Sequence, residues 1–117
     1  MSLPARAQWS WDAVPRRCVA HGIERQMLHG DRMMVCRLTI APNTATPAHQ
    51  HEHEQITIVE RGRVRFLVGS DERLCQAGDV VVLPGGTWHG CTVLDEESVL
   101  VDIFSPIRED FLEAPHQ

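Results

Sequence analysis

The stretch PAHQHEHEQITIVERG, residues 47–62, decides how this chain is read. It opens with His49, His51 and His53 at alternate positions and runs on to Gly62. Residues two apart on a β-strand share a face, so His49 and His51 can point the same way. Gln55 keeps that parity if one strand runs through unbroken. A second stretch, GDVVVLPGGTWHG at 78–90, supplies His89 from far along the chain. Metal sites are commonly closed in this way, by near ligands plus a distant one. Imidazoles with one oxygen donor suit a single borderline divalent ion: Ni, Zn, Mn, Fe or Co. Any one of these histidines alone reads as a solvated loop residue or a satisfied core residue. Seven in 117 residues, clustered like this, favour a metal centre of His49, His51, Gln55 and His89. His53 also keeps parity, but a third successive imidazole would crowd one ion, so it belongs behind the ligands or at the surface.

Outward from these stretches the chain reads as short strands near 23–29, 32–40, 55–60, 63–69, 72–76, 80–83, 88–94 and 97–104. Turn residues cut them apart, among them APNT at 41–44, GSDE at 69–72 and PGG at 84–86. This is the pattern of an all-β sandwich or barrel. VVVL at 80–83 and VLVDIF at 99–104 are apolar on both faces, as expected of strands under a second layer. Ser105-Pro106 ahead of IREDFLE reads as an N-cap, a proline at the first helical position and acids in the opening turn. That spacing predicts a short helix over 107–113. QWSWDAVP near the start reads as an extended arm. Trp9 and Trp11 share a face there, to cover a barrel edge or reach a partner subunit. Residues 1–117 are expected to form one domain, with an arm over 1–20, barrel motifs over 40–104, and helix and tail over 105–117.

Composition narrows the function classes. A chain 43% hydrophobic over 117 residues has apolar side chain for a single core. Its net charge of −5 argues against a nucleic-acid partner, whose phosphates would be repelled. It does not argue against a small anionic substrate, because a metal and a local arginine dominate the field inside a pocket. No stretch approaches membrane-spanning length and the N-terminus has no apolar signal core, so a cytoplasmic location with no membrane partner is expected. Cys18, Cys36, Cys75 and Cys91 show no C-x-x-C spacing and read mostly as buried thiols. Cys91, two residues after His89, is expected to line a pocket or the core rather than to act as a fourth ligand.

A second constellation lies near the end of the chain. Asp102 sits inside VLVDIF and shares strand parity with Leu100 and Phe104. A carboxylate in so apolar a strand is costly unless paired or placed in a wet cleft. Arg108 follows six residues later. One reading is a structural Asp102–Arg108 ion pair that pins the tail. The other makes Asp102 a general base and Arg108 a fork for a substrate carboxylate.

The spacing of both histidine stretches resembles the cupin family. Its first motif is G-x5-H-x-H-x3-4-E-x6-G and its second G-x5-P-x-G-x2-H-x3-N. His49, His51 and Gly62 match the first, with Gln55 at the Glu position; Gly78, Pro84, Gly86 and His89 match the second. Asn43, Gln55 and Val93 depart from the pattern. Asn43 stands for a glycine and tolerates a positive-φ turn. The resemblance implies a double-stranded β-helix, or jelly-roll barrel, with a short C-terminal helix. HEHEQITIVERG together with VLVDIFSPIREDFL is similar to the KdgF group of cupins, the pectin-degradation proteins, from Trp11 to Leu112. That similarity implies a non-redox enzyme, often a homodimer, that opens the ring of 4,5-unsaturated uronates to linear 5-keto-4-deoxyuronate. It implies metal ligands at His49, His51, Gln55 and His89, and catalytic roles for Asp102, Phe104 and Arg108, with Gln55, Phe104 and Arg108 also contacting substrate. The group usually has an aromatic where this chain has Ile58, which by parity points away from the metal. Two rival functions are a metal-dependent dioxygenase and a non-catalytic module binding sugars or other small ligands.

Overall fold

The computed structural model describes residues 8–113. Its strands are β1 (Arg17–Ala20), β2 (Ile23–His29), β3 (Met34–Ile40), β4 (Ala45–His49) and β5 (Glu54–Arg61). They continue with β6 (Arg63–Val68), β7 (Asp71–Gln76), β8 (Val80–Leu83), β9 (His89–Val93) and β10 (Ser98–Ser105), before helix α1 (Glu109–Glu113). A six-stranded sheet in the order β1-β2-β3-β10-β5-β8 faces a four-stranded sheet in the order β4-β9-β6-β7. Every pairing is antiparallel. This is the all-β jelly roll expected of the two histidine motifs.

Period-two patterning builds the core. In β5, Gln55, Thr57 and Val59 are buried while Ile56 and Ile58 are only half-buried on the opposite face. In β10, Leu100, Asp102 and Phe104 are buried together, as their parity requires. Ile40, Val59, Val64, Phe66, Val93 and Leu100 meet between the sheets. Removing such side chains from water stabilises the fold by about 1.5–3 kcal/mol each. A second cluster of Met34, Cys36 and Phe104 receives Ile107 and Phe111 from the tail, which docks α1 onto the barrel. Asn43 takes φ 60° in the turn before β4, the conformation its position in the motif asks of a glycine.

Four local expectations are corrected. β1 and β4 are additional strands. Their side chains are almost all exposed, so neither carries the apolar alternation that marks a strand in sequence. β4 contains Pro47, which fits its place at the edge of the four-stranded sheet. VVVL has no covering layer among the described residues: Val80 is 56% and Val82 57% exposed, because β8 is itself an edge strand with only Val81 and Leu83 turned inward. Ser105 does not cap the helix. It ends β10, its hydroxyl donates to the Arg32 carbonyl at 3.0 Å, the Ser105–Pro106 peptide is cis, and α1 begins later, at Glu109. Finally, the arm is not extended throughout. A 3₁₀ turn at Trp11–Ala13 is capped by Ser10, and the Gln26 amide of β2 donates to the carbonyls of Trp11 and Val14 at 2.7 and 2.9 Å. The arm therefore lies along a strand face; the rest of it, residues 1–7, is outside the described residues.

Candidate metal centre and its cavity

His49 ends β4 and His89 opens β9, and the two face each other in register with ring centroids 4.5 Å apart. His51 comes from the link between β4 and β5, and Gln55 from β5 in the other sheet. The expected unbroken strand from His49 to Gln55 is thus replaced by a turn between two sheets. The residues still converge because the sheets do. The PGG loop holds this link in place: the Gly86 N–H donates to the His51 carbonyl at 2.7 Å, and the Gln50 amide donates to the Gly86 carbonyl at 2.6 Å. Gly90 matters for the same reason, since a Cβ there would lie 3.1 Å from the Ala48 backbone.

Each histidine directs its Nδ1 at a main-chain carbonyl: His49 at Pro47 (3.1 Å), His51 at His53 (3.0 Å) and His89 at Thr87 (2.9 Å). A carbonyl only accepts, so each Nδ1 carries the hydrogen and each Nε2 presents a lone pair. The candidate ligand atoms of the three rings lie within 4.8 Å of one another. His89 Nε2 is buried with no hydrogen-bond partner among the described residues. His51 Nε2 stands 3.1 Å from Gln55 Oε1, one acceptor against another. That contact is unfavourable by itself and becomes favourable around a cation. Burial lowers the pKa of His51 and His89, and the Arg108 charge lowers both further, which keeps the imidazoles neutral and available. Three neutral nitrogens and an amide oxygen aimed together fit a borderline divalent ion.

Thr57 joins this centre to Asp102. The Gln55 amide donates to Thr57 Oγ1 at 2.8 Å, and the Thr57 hydroxyl donates to Asp102 Oδ1 at 2.7 Å. With its own proton committed to the carboxylate, Thr57 can only accept from Gln55, which turns Gln55 Oε1 toward the histidines. Asp102 is 8% exposed, and burial pushes its pKa up to about 6 against the lowering influence of Thr57, Gln55 and Arg108.

His49, His89, Gln55, Thr57 and Asp102 line one cavity of about 200 Å³. Phe104 forms part of its wall, 5.9 Å from the His51 ring. Ile23, Leu38, Ile40 and Leu100 make its apolar depth. Arg108 lines it too, but the Asp102–Arg108 ion pair is not formed. Arg108 is held bidentately by Asp110, Nε to Oδ1 at 3.0 Å and Nη2 to Oδ2 at 2.8 Å, because Asp110 lies two residues away in the same turn. The guanidinium also sits 5.3 Å from the centroid of Phe104 and 4.1 Å from that of Phe111.

The remaining sequence candidates resolve simply. Cys91 lines the cavity, within 3.5 Å of the Thr46 hydroxyl, and is not part of the histidine cluster. All four cysteines are free; Cys18 is exposed, and burial pushes the Cys36 thiol up to about 12. His53 serves the centre through its carbonyl, and Ile58 faces away from the cavity. Among the cavity residues that escaped the sequence reading are Thr57 and Arg25. Thr57 was within reach of it, being one strand repeat beyond Gln55. Arg25 of β2 was not, because nothing in its neighbourhood marks that strand as part of the site.

The cupin domain family matches residues 36–104, the span from β3 through β10 that carries every candidate ligand. The chain belongs to the cupin family. This cupin is 36% identical over 104 residues to the pectin degradation protein KdgF of Dickeya dadantii, covering 86% of this chain and 94% of that one. The structure of KdgF from Halomonas sp. superposes with a TM-score of 0.80 at 31% identity, over 83% of this chain and 90% of its own. An RmlC-like cupin from Shewanella frigidimarina reaches 0.86 at 26% identity, over 92% and 96% of the two chains.

Proposed function

We propose that this cupin opens the ring of 4,5-unsaturated uronate monosaccharides, the products of pectin and alginate lyases, to give linear 5-keto-4-deoxyuronate. The observation that carries this reading is the run of contacts from the histidine cluster, through His51 to Gln55 and Thr57, to a buried carboxyl, Asp102, on the wall of the cavity that His49 and His89 also line. A volume of about 200 Å³ lies below the roughly 300–1,000 Å³ of sites for drug-sized ligands and suits a monosaccharide. The similarity to KdgF proteins points to the same substrate class.

The reaction needs a base and an electrophile, and nothing is oxidised. A divalent ion held by His49, His51, Gln55 and His89 would supply Lewis acidity to the departing ring oxygen. Asp102 takes the proton of the anomeric hydroxyl as the bond from the anomeric carbon to the ring oxygen breaks. It then returns a proton to the enol carbon, leaving the aldehyde and the 5-ketone. Thr57 keeps the carboxyl oriented, and Phe104 walls the sugar face. Arg108 binds the uronate carboxylate by exchanging it for Asp110. A neutral Gln55 in place of the family's glutamate leaves the centre more cationic, which favours an anionic ligand.

Incubation with unsaturated galacturonate or mannuronate from a lyase digest tests the reading. Accelerated decay of the conjugated chromophore, lost on chelation, is expected. Metal-loaded protein that binds uronates unchanged would make it a binding module. Oxygen consumption with a phenolic or dicarbonyl substrate would make it a dioxygenase.

A further inference from the structure

We propose that Arg25 is a second carboxylate-binding residue of this cavity, one that selects anionic over neutral ligands. The proposal rests on the uronate reading and adds to it a residue that reading does not use. Arg25 lies on β2, is half-buried, and lines the cavity with His49, Gln55 and Asp102. Its guanidinium carbon is 4.1 Å from the centroid of Phe111, the same distance as that of Arg108. Two cations thus share one aromatic ring on one cavity wall. Stacking on a ring fixes the plane of a guanidinium without using any N–H donor.

The two arginines differ in what their donors do. Arg108 spends Nε and Nη2 on Asp110. Arg25 has no hydrogen bond or ion pair from its side chain among the described residues. Moreover, its directly opposed partner on β1 is Arg17, and like charges facing each other across strands are destabilising. Three guanidinium groups therefore gather here, and Asp110, the one carboxylate bonded to any of them among the described residues, is committed to Arg108. Burial and the charges of Arg108 and Arg17 act against the Arg25 cation, Cys36 and Asp110 act partly for it, and an arginine remains charged in proteins. A protein with a net charge of −5 has many carboxylates with which to neutralise such a group, yet among the described residues none forms an ion pair with it, and Asp110 acts on it only through space. A planar carboxylate from a ligand in the cavity matches the open fork.

The test compares wild type, Arg25→Gln and Arg25→Lys, each metal-loaded, with unsaturated galacturonate. Charged hydrogen bonds of this kind are worth about 1.5–3 kcal/mol, so Arg25→Gln should raise KM by roughly tenfold or more with kcat nearly unchanged. Arg25→Lys should fall between the two, keeping the charge without the fork. Calorimetric titration with D-galacturonate and with D-galactose gives a readout that needs no turnover. Wild type should prefer the acid, and Arg25→Gln should lose most of that preference, keeping only what Arg108 supplies. If wild type turns over no uronate, the ring-opening reading fails, and Arg25 is judged by the titration alone. Equal galacturonate affinity in wild type and Arg25→Gln, or no galacturonate binding by wild type, overturns the proposal. So does an unchanged KM in a wild type that is active.

Discussion

Thr57 is the residue on which the candidate metal ligands and the buried carboxyl meet. Thr57→Val keeps the shape of the side chain but strands the Gln55 amide and Asp102 Oδ1 without their partner. Leaving buried polar groups unpaired costs about 1–3 kcal/mol, and turnover should fall by at least tenfold as Gln55 and Asp102 lose their orientation. Thr57→Ser, which retains the hydroxyl, should recover most of both; equal loss in the two variants would remove the hydroxyl from the argument. Asp102 gives a separate signature in the metal-free protein. Its folded pKa of about 6 lies above the unfolded carboxyl value of about 3.9, so the unfolded chain releases this proton first. Stability from this group is therefore present below about pH 4, declines as the pH rises toward 6, and is level above that, a loss on the order of 3 kcal/mol. Asp102→Asn should abolish turnover and, in urea melts of chelated protein at pH 4.5 and 7, should lose less stability across that interval than wild type. An identical decline in both would place the raised pKa elsewhere.

Among the elements, the turn between β5 and β6 holds the first histidine motif closed. Gly62 adopts φ 92° there, and a Cβ would run into the Ser98 side chain at the start of β10. Gly62→Ala thus combines a left-handed backbone with overpacking and should cost about 2–4 kcal/mol in denaturant unfolding. Gly69 offers the control: its φ is 61°, but open space surrounds it, so Gly69→Ala should show the backbone part alone, about 1 kcal/mol. Similar values for the two would mean that Ser98 yields without cost. The element scale also shows why sequence reading was uneven. β5 and β10 were legible because each buries alternate residues under strong apolar patterning. β1 and β4 were not, since their exposed side chains leave no periodic trace.

At the scale of the whole molecule, the candidate metal centre bridges the two sheets, with His49 and His89 on one and Gln55 on the other. An ion that binds only the folded chain adds stability by mass action, about 2.7 kcal/mol at a hundredfold excess over its dissociation constant. Chelation should therefore lower the melting temperature by several degrees, and readdition of the ion should restore it. In His89→Ala the melting temperature should no longer respond to chelator. Chelator-independent melting of the wild type would argue against a bound ion at this position.

Local spacing determined the barrel, the candidate metal-ligand set and the inward side of β10, because strand periodicity and motif register depend only on neighbours along the chain. Only the tertiary structure decided what those residues do to one another. It paired Arg108 with Asp110 rather than Asp102, inserted Thr57 between Gln55 and the carboxyl, and brought Arg25 to the cavity from a distant strand. Such contacts join residues far apart in sequence, and no pattern along the chain records which guanidinium, hydroxyl or carboxylate will meet when the two sheets close.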